Sequence, residues 1–213
     1  MNSQNYFDRI APQWNAMRQR YFNQDIRPII FSRIDFKNTT VADLGAGTGY
    51  LALELAKHAK IVFAIDQSLN MLDQIKEKAH NHKIDNIYTL ASDIQSIPFQ
   101  SSQIDIVTMN MALHHMLEPN LIIKEMYRLL NDNGIAVISD VMSHNGKWAI
   151  EEMHDVWLGF SKNQIEYWLS ENGFIDIEFI ETNFQAIASN QNGETINPNI
   201  FIVIAKKGKK NED

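Results

Sequence analysis

The segment DLGAGTGY, residues 43–50, places three glycines at alternating positions. Gly45, Gly47 and Gly49 carry no Cβ atom, so the backbone there can adopt conformations closed to other residues and approach a ligand closely. Backbone N–H groups in such a loop, at the start of a helix, bind anionic or strongly polar groups. The same composition also suits a plain tight connection between a strand and a helix, so the loop alone identifies no ligand.

Two acidic residues follow apolar runs farther along the chain. Asp66 comes directly after residues 61–65, where a carboxylate can accept hydrogen bonds from both hydroxyls of a ribose. Asp93, in ASDIQSIPF, can accept from an adenine amino group while Ile94 packs on the ring. Each also has a simpler interpretation, because Asp66 can cap the next helix and Asp93 can be an ordinary loop aspartate.

The glycine spacing distinguishes two kinds of nucleotide ligand. A dinucleotide-binding G-x-G-x-x-G loop would have its third glycine at position 50, which is Tyr50 here. The alternating glycines after Asp43 instead favour S-adenosylmethionine (SAM) over NAD. An NAD-dependent oxidoreductase and a non-catalytic SAM-binding regulator or scaffold remain as alternatives, since a fold does not establish an activity.

The elements that must position these residues form a repeating pattern of strands and helices. Apolar runs predict strands at residues 40–44, 61–65, 87–91, 104–110 and 135–140, and helical spacing predicts helices at residues 50–57, 69–80 and 119–130. Continuous apolar strands are typical of a parallel sheet covered by helices on both faces. Asn133 and Gly134 are expected to end the third helix. Residues 174–184 and 199–205 predict a C-terminal hairpin appended to the sheet.

Composition limits the remaining possibilities. A length of 213 residues with 45% hydrophobic content suits a single domain with its own core. The absence of cysteine excludes disulfides, thiolate metal sites and cysteine nucleophiles. A net charge of −7 disfavours a nucleic-acid partner, and no segment is typical of a signal peptide or membrane span. We therefore expect a cytoplasmic protein, monomeric or homodimeric, with residues 206–213 as a solvated charged terminus.

The motifs together resemble those of class I SAM-dependent methyltransferases, in the group called methyltransferase type 11. DLGAGTGY resembles the glycine-rich loop of that family, AIDQSLNML its ribose-binding strand end and the following helix, and ASDIQSIPF its adenine-side loop. DIVTMNMALHHM and RLLNDNGIAVISD resemble its fourth and fifth strands and the helix between them. The resemblance implies a Rossmann-like α/β fold with a mostly parallel seven-stranded sheet and a reversed last strand. It also implies SAM as the cofactor and S-adenosylhomocysteine (SAH) as its product.

Roles for individual residues also follow from the resemblance. Asp43 and the loop backbone would hold the methionine end of SAM, and Asp66 its ribose. Asp93 and Ile94 would contact the adenine, and the carbonyls of residues 110–111 the methionine amino group. The complete set of expected cofactor-binding residues is Asp43, Gly45, Ala46, Gly47, Gly49, Asp66, Gln67, Met71, Asp93, Ile94, Asn110 and Met111.

A finer resemblance is to methyltransferase domains associated with ArsR-type repressors. It is carried by YFDRIAPQWNAMR near the N-terminus and by SDVMSHNGKWAIEEMHDVWLGFSKNQIEYWLSENGF. Arsenic methylation is nevertheless disfavoured, because the sequence lacks the cysteines that hold arsenic in arsenite methyltransferases. We expect a small-molecule acceptor whose methylated atom, O, N, S or C, the sequence leaves open.

Two histidines just after the fourth strand, His114 and His115, are the candidates for activating the acceptor. Methyl transfer from a sulfonium is an in-line displacement, in which alignment supplies much of the rate. A hydroxyl or amine acceptor is helped further by a general base. A packing or capping role is the other interpretation of the pair.

The segments on either side of the cofactor core are candidates for covering the acceptor. We expect a helical cap at residues 1–38, the SAM-binding core at 39–140, a lid at 141–172 and the hairpin at 173–206. Helical spacing would place Glu151, His154 and Trp157 on one face of a lid helix. The wider cluster after the fifth strand could contact the acceptor or, as a less favoured interpretation, hold a metal ion, although none is expected; it comprises His144, Glu151, Glu152, His154, Asp155 and Trp157. The candidates for contacting the acceptor or closing the site are Tyr6, Trp14, Arg18, His144, His154 and Trp157.

Overall fold

The computed structural model describes residues 3–22 and 24–208, with side chains from residue 5 onward. The end of the charged tail, residues 209–213, lies outside the described residues. The helices are α1 Ser3–Tyr21, α2 Arg27–Phe31, α3 Ala52–Leu55, α4 Leu69–His82, α5 Pro119–Leu129, α6 Trp148–Glu152 and α7 Lys162–Glu171. The strands are β1 Thr40–Leu44, β2 Ile61–Asp66, β3 Ile87–Ala91, β4 Ile104–Asn110, β5 Leu130–Val141, β6 Phe174–Gln185, β7 Ala188–Ser189, β8 Thr195–Ile196 and β9 Asn199–Lys207.

Seven strands form one sheet in the order β3-β2-β1-β4-β5-β9-β6. The first five strands in this order are parallel, whereas β9 runs antiparallel to both β5 and β6. The expected Rossmann-like fold, with its reversed last strand and C-terminal hairpin, is therefore confirmed. The polar stretch between β6 and β9 holds a small separate pair of strands, β7 and β8.

Helices cover both faces of the sheet because its central strands are apolar on both sides. One hydrophobic cluster joins the sheet to α5 and α7, through residues such as Met126 and Leu169. A second cluster on the opposite face joins it to α2, α3 and α4, through residues such as Leu55 and Ile75. In the described residues, no helix combines the length and apolar character needed to cross a membrane.

The strand order reverses at β1, which lies between β2 and β4. In open α/β sheets the connections on either side of such a reversal leave toward opposite faces, and a crevice opens at the carboxyl ends of the strands. Helix α1 packs against α4 beside this crevice, through a small cluster of Tyr6, Ile10, Ala11 and Met71. The glycine loop after β1 and the histidines after β4 thus meet at one edge of the sheet.

Two local predictions differ from the structure. Helix α3 spans only Ala52–Leu55 rather than residues 50–57, because the chain is still in the turn of the glycine loop at Tyr50. The prediction that Asn133 and Gly134 end the helix before β5 was wrong, since α5 ends at Leu129. Leu130 is already extended and pairs with Ile104 of β4. Asn133, with φ of 62°, takes the left-handed conformation expected of the glycine.

Candidate cofactor and acceptor site

A cavity of about 200 Å³ lies at the carboxyl ends of β1, β2 and β4, against α1. Twelve of its lining residues were predicted as site residues, namely Trp14, Arg18, Gly45, Ala46, Gly47, Asp66, Gln67, Met71, Ile94, Asn110, Met111 and His115. Sequence patterns missed seven further residues of the wall, Phe22, Thr48, Ser68, Gln95, Ala112, Met116 and Leu117. Most of these are immediate chain neighbours of predicted residues, so the predicted residues and the rest of the wall share the same loops.

The glycine loop fits closely against the exit of β4. Gly45 has φ of 66°, and a Cβ atom there would lie 2.7 Å from the Cβ of Ala112. Gly47, with φ of 53°, lines the cavity and donates its backbone N–H to Oδ2 of Asp66 over 2.8 Å. Gly49 lies outside the cavity wall, with the side chains of Leu53 and Ile75 about its Cα. The loop therefore needs glycine for its conformation and, at Gly45, for space.

Asp66 bridges the glycine loop and the start of α4. Its Oδ1 accepts from the backbone N–H of Ser68 over 2.9 Å, while its Oδ2 accepts from Gly47. The N-cap of α4 is Ser68, whose Oγ accepts from the backbone N–H of Met71. Burial raises the pKa of Asp66, against the backbone hydrogen bonds that lower it. Each carboxylate oxygen keeps a second lone pair with which to accept from a hydroxyl in the cavity.

Asp43 lies behind the loop rather than in the cavity wall. Its side chain is buried, and its Oδ1 accepts from the Thr108 hydroxyl over 2.6 Å. Burial raises the pKa of Asp43 to about 7, although the hydrogen bond from Thr108 opposes the shift. Asp43 could therefore act on the methionine end of SAM only indirectly, through the loop in front of it.

The two residues expected at the adenine separate in the structure. Ile94 is buried and lines the cavity. Asp93 is exposed, and its Oδ1 accepts from the Gln95 backbone N–H over 3.0 Å and from the Gln67 side chain over 3.3 Å. Since Gln67 and Gln95 both line the cavity, Asp93 lies one hydrogen bond away from its wall.

The exit of β4 is fixed by Ser139 of β5. The hydroxyl of Ser139 donates to the Asn110 side-chain oxygen, and its carbonyl accepts from the Met111 backbone N–H, both over 2.8 Å. Met111 has φ of 51°, a conformation uncommon for a residue other than glycine. The chain therefore turns sharply between Asn110 and the two histidines.

Helix α1 is tied to the cofactor loops by side chains. Asn15 accepts from the Thr48 hydroxyl over 2.7 Å, and Asp8 accepts from the Ser68 hydroxyl over 2.6 Å. The guanidinium carbon of Arg18 lies 3.3 Å from the ring centroid of Tyr50. These contacts place Trp14 and Arg18 in the cavity wall.

The two histidines differ in environment although they are adjacent. His114 is buried, and its Nδ1 lies 2.7 Å from Oδ1 of Asp140 at the end of β5. Burial lowers the pKa of His114, but Asp140 and then Asp155 outweigh it and raise the pKa to about 8. Burial and the neighbouring His114 lower the pKa of His115 well below its usual value. The same cluster therefore shifts the two histidines in opposite directions, with the pKa of His114 raised and the pKa of His115 lowered.

The tautomer of His115 follows from a backbone contact. Its Nδ1 lies 3.1 Å from the carbonyl oxygen of His154, which can only accept, so Nδ1 carries the proton. The lone pair then lies on Nε2, which is the basic atom of the ring. Because His115 lines the cavity, it is the member of the pair that an acceptor can contact.

Asp155 completes a cluster with the two histidines. Its Oδ1 lies 3.7 Å from both His114 Nε2 and His115 Nδ1, and has no hydrogen-bond partner within the described part of the chain. Burial raises its pKa to about 6, although His114 opposes the shift. The loop is held there because the backbone N–H groups of Val156 and Trp157 both donate to the His114 carbonyl.

Glu151, His154 and Trp157 do not share a face of one helix, so the prediction of a lid helix through all three was wrong. Helix α6 ends at Glu152, and His154 takes a left-handed φ of 58°. The His154 ring packs on Tyr6 at 4.2 Å, and Trp157 donates its indole N–H to the Met116 carbonyl. Tyr6, His154 and Trp157 do not line the cavity.

His144 lies elsewhere. It lines a separate surface cavity between the start of α6 and β8, with Trp148 and Ile196 among its neighbours. Asp155, a member of the cluster predicted after the fifth strand, contacts both histidines. Asp140 contacts His114 but was not predicted as a site residue, and its only signal was its place at the end of a strand beside the binding edge.

Comparisons with known proteins identify the family of the chain. A family model described as a methyltransferase domain matches residues 35–173. The chain is 27% identical over 170 residues to the chloroplastic 2-methyl-6-phytyl-1,4-hydroquinone methyltransferase of Spinacia oleracea, covering 77% of this chain and 48% of that one. It is 30% identical over 127 residues to the ubiquinone biosynthesis O-methyltransferase of Coxiella burnetii, covering 60% of this chain and 50% of that one. The chain thus spans about half the length of these curated relatives.

A solved structure extends the comparison to the fold. The phosphoethanolamine N-methyltransferase 2 of Haemonchus contortus, in complex with SAM, matches with a TM-score of 0.78 at 18% identity. The match covers 98% of this chain and 60% of that protein. Since the family model covers more than half of the sequence and the glycine loop, the chain belongs to the methyltransferase-domain family of class I SAM-dependent methyltransferases.

Proposed function

We propose that the protein transfers the methyl group of SAM to a small-molecule acceptor that binds between the exit of β4 and α1. One observation carries the proposal: a single cavity is lined by the glycine loop, by Asp66 and by His115. The first two are suited to binding a nucleoside, and the third to receiving a proton. A cofactor and an acceptor bound in one cavity can be aligned for direct transfer.

The cofactor end of the cavity is the part next to β1 and β2. Asp66 accepts the ribose hydroxyls in this proposal, because its two oxygens are already oriented by backbone N–H groups. Ile94 and Met71 provide apolar wall for the adenine, and the loop backbone contacts the methionine portion. Asp43 acts from behind the loop, where its ionised form attracts the positive charge of SAM.

The acceptor end is the part next to His115. The acceptor atom attacks the methyl carbon while the bond to the sulfonium breaks, and SAH leaves as a neutral thioether. A proton on the acceptor passes to Nε2 of His115, since that nitrogen holds the free lone pair. Phe7, Met116 and Leu117 line the same region and favour an acceptor with an apolar body. General-base assistance of this kind contributes about 10²–10⁴-fold.

Two measurements test the proposal in order. Calorimetric titration with SAM and SAH, with NAD as the control ligand, tests the cofactor site. Binding of the first two alone supports it, and binding of neither contradicts it. An assay of SAH release with hydroxyl, amine and thiol acceptors of graded apolar size then tests transfer. Release of SAH that requires an acceptor supports the enzyme, whereas SAM binding without any turnover favours the regulator or scaffold alternative.

A further inference from the structure

We propose that His114, His115 and Asp155 bind one divalent transition-metal ion at the acceptor end of the cavity. Each residue offers one ligand atom, and the three atoms lie within 4.8 Å of one another. The binding of the ion is inferred from these three residues alone, whereas its effect on an acceptor rests on the proposed function.

The distances are close to those of a metal shell. Oδ1 of Asp155 lies 3.7 Å from His114 Nε2 and 3.7 Å from His115 Nδ1. Zinc bonds to nitrogen and carboxylate oxygen of about 2.0–2.2 Å place tetrahedral ligands roughly 3.3–3.6 Å apart. The two distances from Asp155 are therefore close to those between ligands of one zinc ion. The ligand nitrogens of the two imidazoles lie within 4.8 Å of each other, and a small movement of the rings toward each other completes the site. His115 then exchanges its hydrogen bond to the His154 carbonyl for the bond to the ion.

The buried oxygen of Asp155 is the observation that points to a ligand. The side chain is 5% exposed, and Oδ1 has no hydrogen-bond partner among residues 5–22 and 24–208. Buried carboxylate oxygens are almost always satisfied, and a bound ion is one of the ordinary explanations when protein groups do not satisfy them. This oxygen lies between two imidazoles, which are common ligands of zinc and similar metals.

Asp140 gives His114 the orientation of a metal ligand. Its Oδ1 lies 2.7 Å from His114 Nδ1, on the side of the ring opposite to Asp155. A carboxylate in this position fixes the tautomer with a proton on Nδ1 and leaves Nε2 free to bind a metal. Metal-binding histidines usually have such a partner.

Charge balance also favours an ion. The ion pairs of Asp140 and Asp155 in the described residues are all with histidines. Two buried carboxylates beside two imidazoles can be neutralised by two protons or by one divalent cation. The cation does so without leaving Oδ1 of Asp155 unsatisfied.

Among the three ligands His115 lines the cavity, followed by Met116, so an acceptor would reach the ion past the His115 ring. A metal held by three protein ligands keeps a position for a further molecule. A hydroxyl or thiol acceptor bound there loses its proton to solvent more readily, and the resulting anion attacks the methyl carbon of SAM. In this state the ion takes the role that the free Nε2 of His115 has in the metal-free protein.

The test is calorimetric titration of chelator-treated protein with zinc chloride. The wild-type protein is expected to bind one Zn²⁺, and D155N and H115N at least tenfold more weakly. H58N is the matched control, since His58 is exposed and lies outside the cluster, and it should bind Zn²⁺ as the wild type does. SAH titration of every variant shows whether its fold is intact. Equal Zn²⁺ affinity in D155N and wild type would overturn the proposal, as would no binding at all.

A second measurement needs no variant. Co²⁺ added to the wild-type protein should give the strong visible absorption of a four- or five-coordinate ion, and the weak spectrum of six-coordinate Co²⁺ would contradict the site. The two proposals also fail separately. If SAM binds and Zn²⁺ does not, the metal site is wrong and the proposed function stands. If Zn²⁺ binds and SAM does not, the metal site stands and the proposed function is wrong.

Discussion

The backbone N–H of Gly47 donates to Oδ2 of Asp66 over 2.8 Å, and this hydrogen bond joins the loop after β1 to the end of β2. Both residues line the cavity. The contact holds the carboxylate in one orientation before any ligand binds, which reduces the ordering that binding must supply. The glycine loop and the acidic strand end are thus one structural unit.

Asp66→Ala is expected to weaken SAH binding by about 1–3 kcal/mol, because the ribose hydroxyls lose charge-assisted hydrogen bonds. Calorimetric titration measures the change. Asp73→Ala is the matched control, since Asp73 is an exposed residue of α4 paired with Lys76. Unchanged affinity in Asp66→Ala, with a thermal transition like that of the control, would remove Asp66 from the cofactor site.

The cofactor end of the site, formed by the glycine loop and Asp66, could be predicted from sequence because each of its residues lies at a fixed place relative to a strand end. The continuous apolar runs located β1 and β2, and parallel strands bring their carboxyl ends to one edge. The glycine loop and Asp66 therefore had to be near each other.

The contact between Asp155 and the two histidines at the acceptor end could not be predicted in this way. Asp155 meets the histidines because Val156 and Trp157 donate backbone hydrogen bonds to the His114 carbonyl. Such contacts between distant loops leave no periodic signal. The spacing of His154 and Trp157 even suggested a helix, but α6 ends before either residue.

His115→Ala is expected to lower turnover by about 10²–10⁴-fold while changing SAH affinity only slightly. The residue lies at the acceptor end of the cavity, so it contributes to transfer more than to cofactor binding. The measurement is SAH release under saturating SAM, with the same acceptor for each variant. His58→Ala, at an exposed position in the turn after α3, should turn over like the wild type. Equal rates in the two variants would assign His115 a structural role.

Gly45→Ala is expected to destabilise the protein more than Gly193→Ala. Both glycines have positive φ, 66° and 83°, so both substitutions cost roughly 1 kcal/mol or more of backbone strain. The new Cβ of residue 45 would also lie 2.7 Å from Ala112, whereas nothing lies within 4 Å at residue 193. Urea denaturation of the two variants measures the difference. Equal losses of stability would show that the loop moves away from Ala112 with no further loss of unfolding free energy.

Asp43 is expected to make stability depend on pH in the range between its unfolded and folded pKa values. Its folded pKa of about 7 lies above the ordinary value of 3.8, so folding favours the protonated carboxyl. The unfolding free energy therefore loses this contribution as pH rises from about 4 to about 7. Asp43→Asn removes the ionisation and keeps a side-chain oxygen that can accept from Thr108. Relative to the wild type, the variant should gain stability on the order of a few kcal/mol between pH 4 and pH 8. Urea denaturation at several pH values measures this gain, and parallel pH profiles for the two proteins would show that the buried carboxyl has an ordinary pKa.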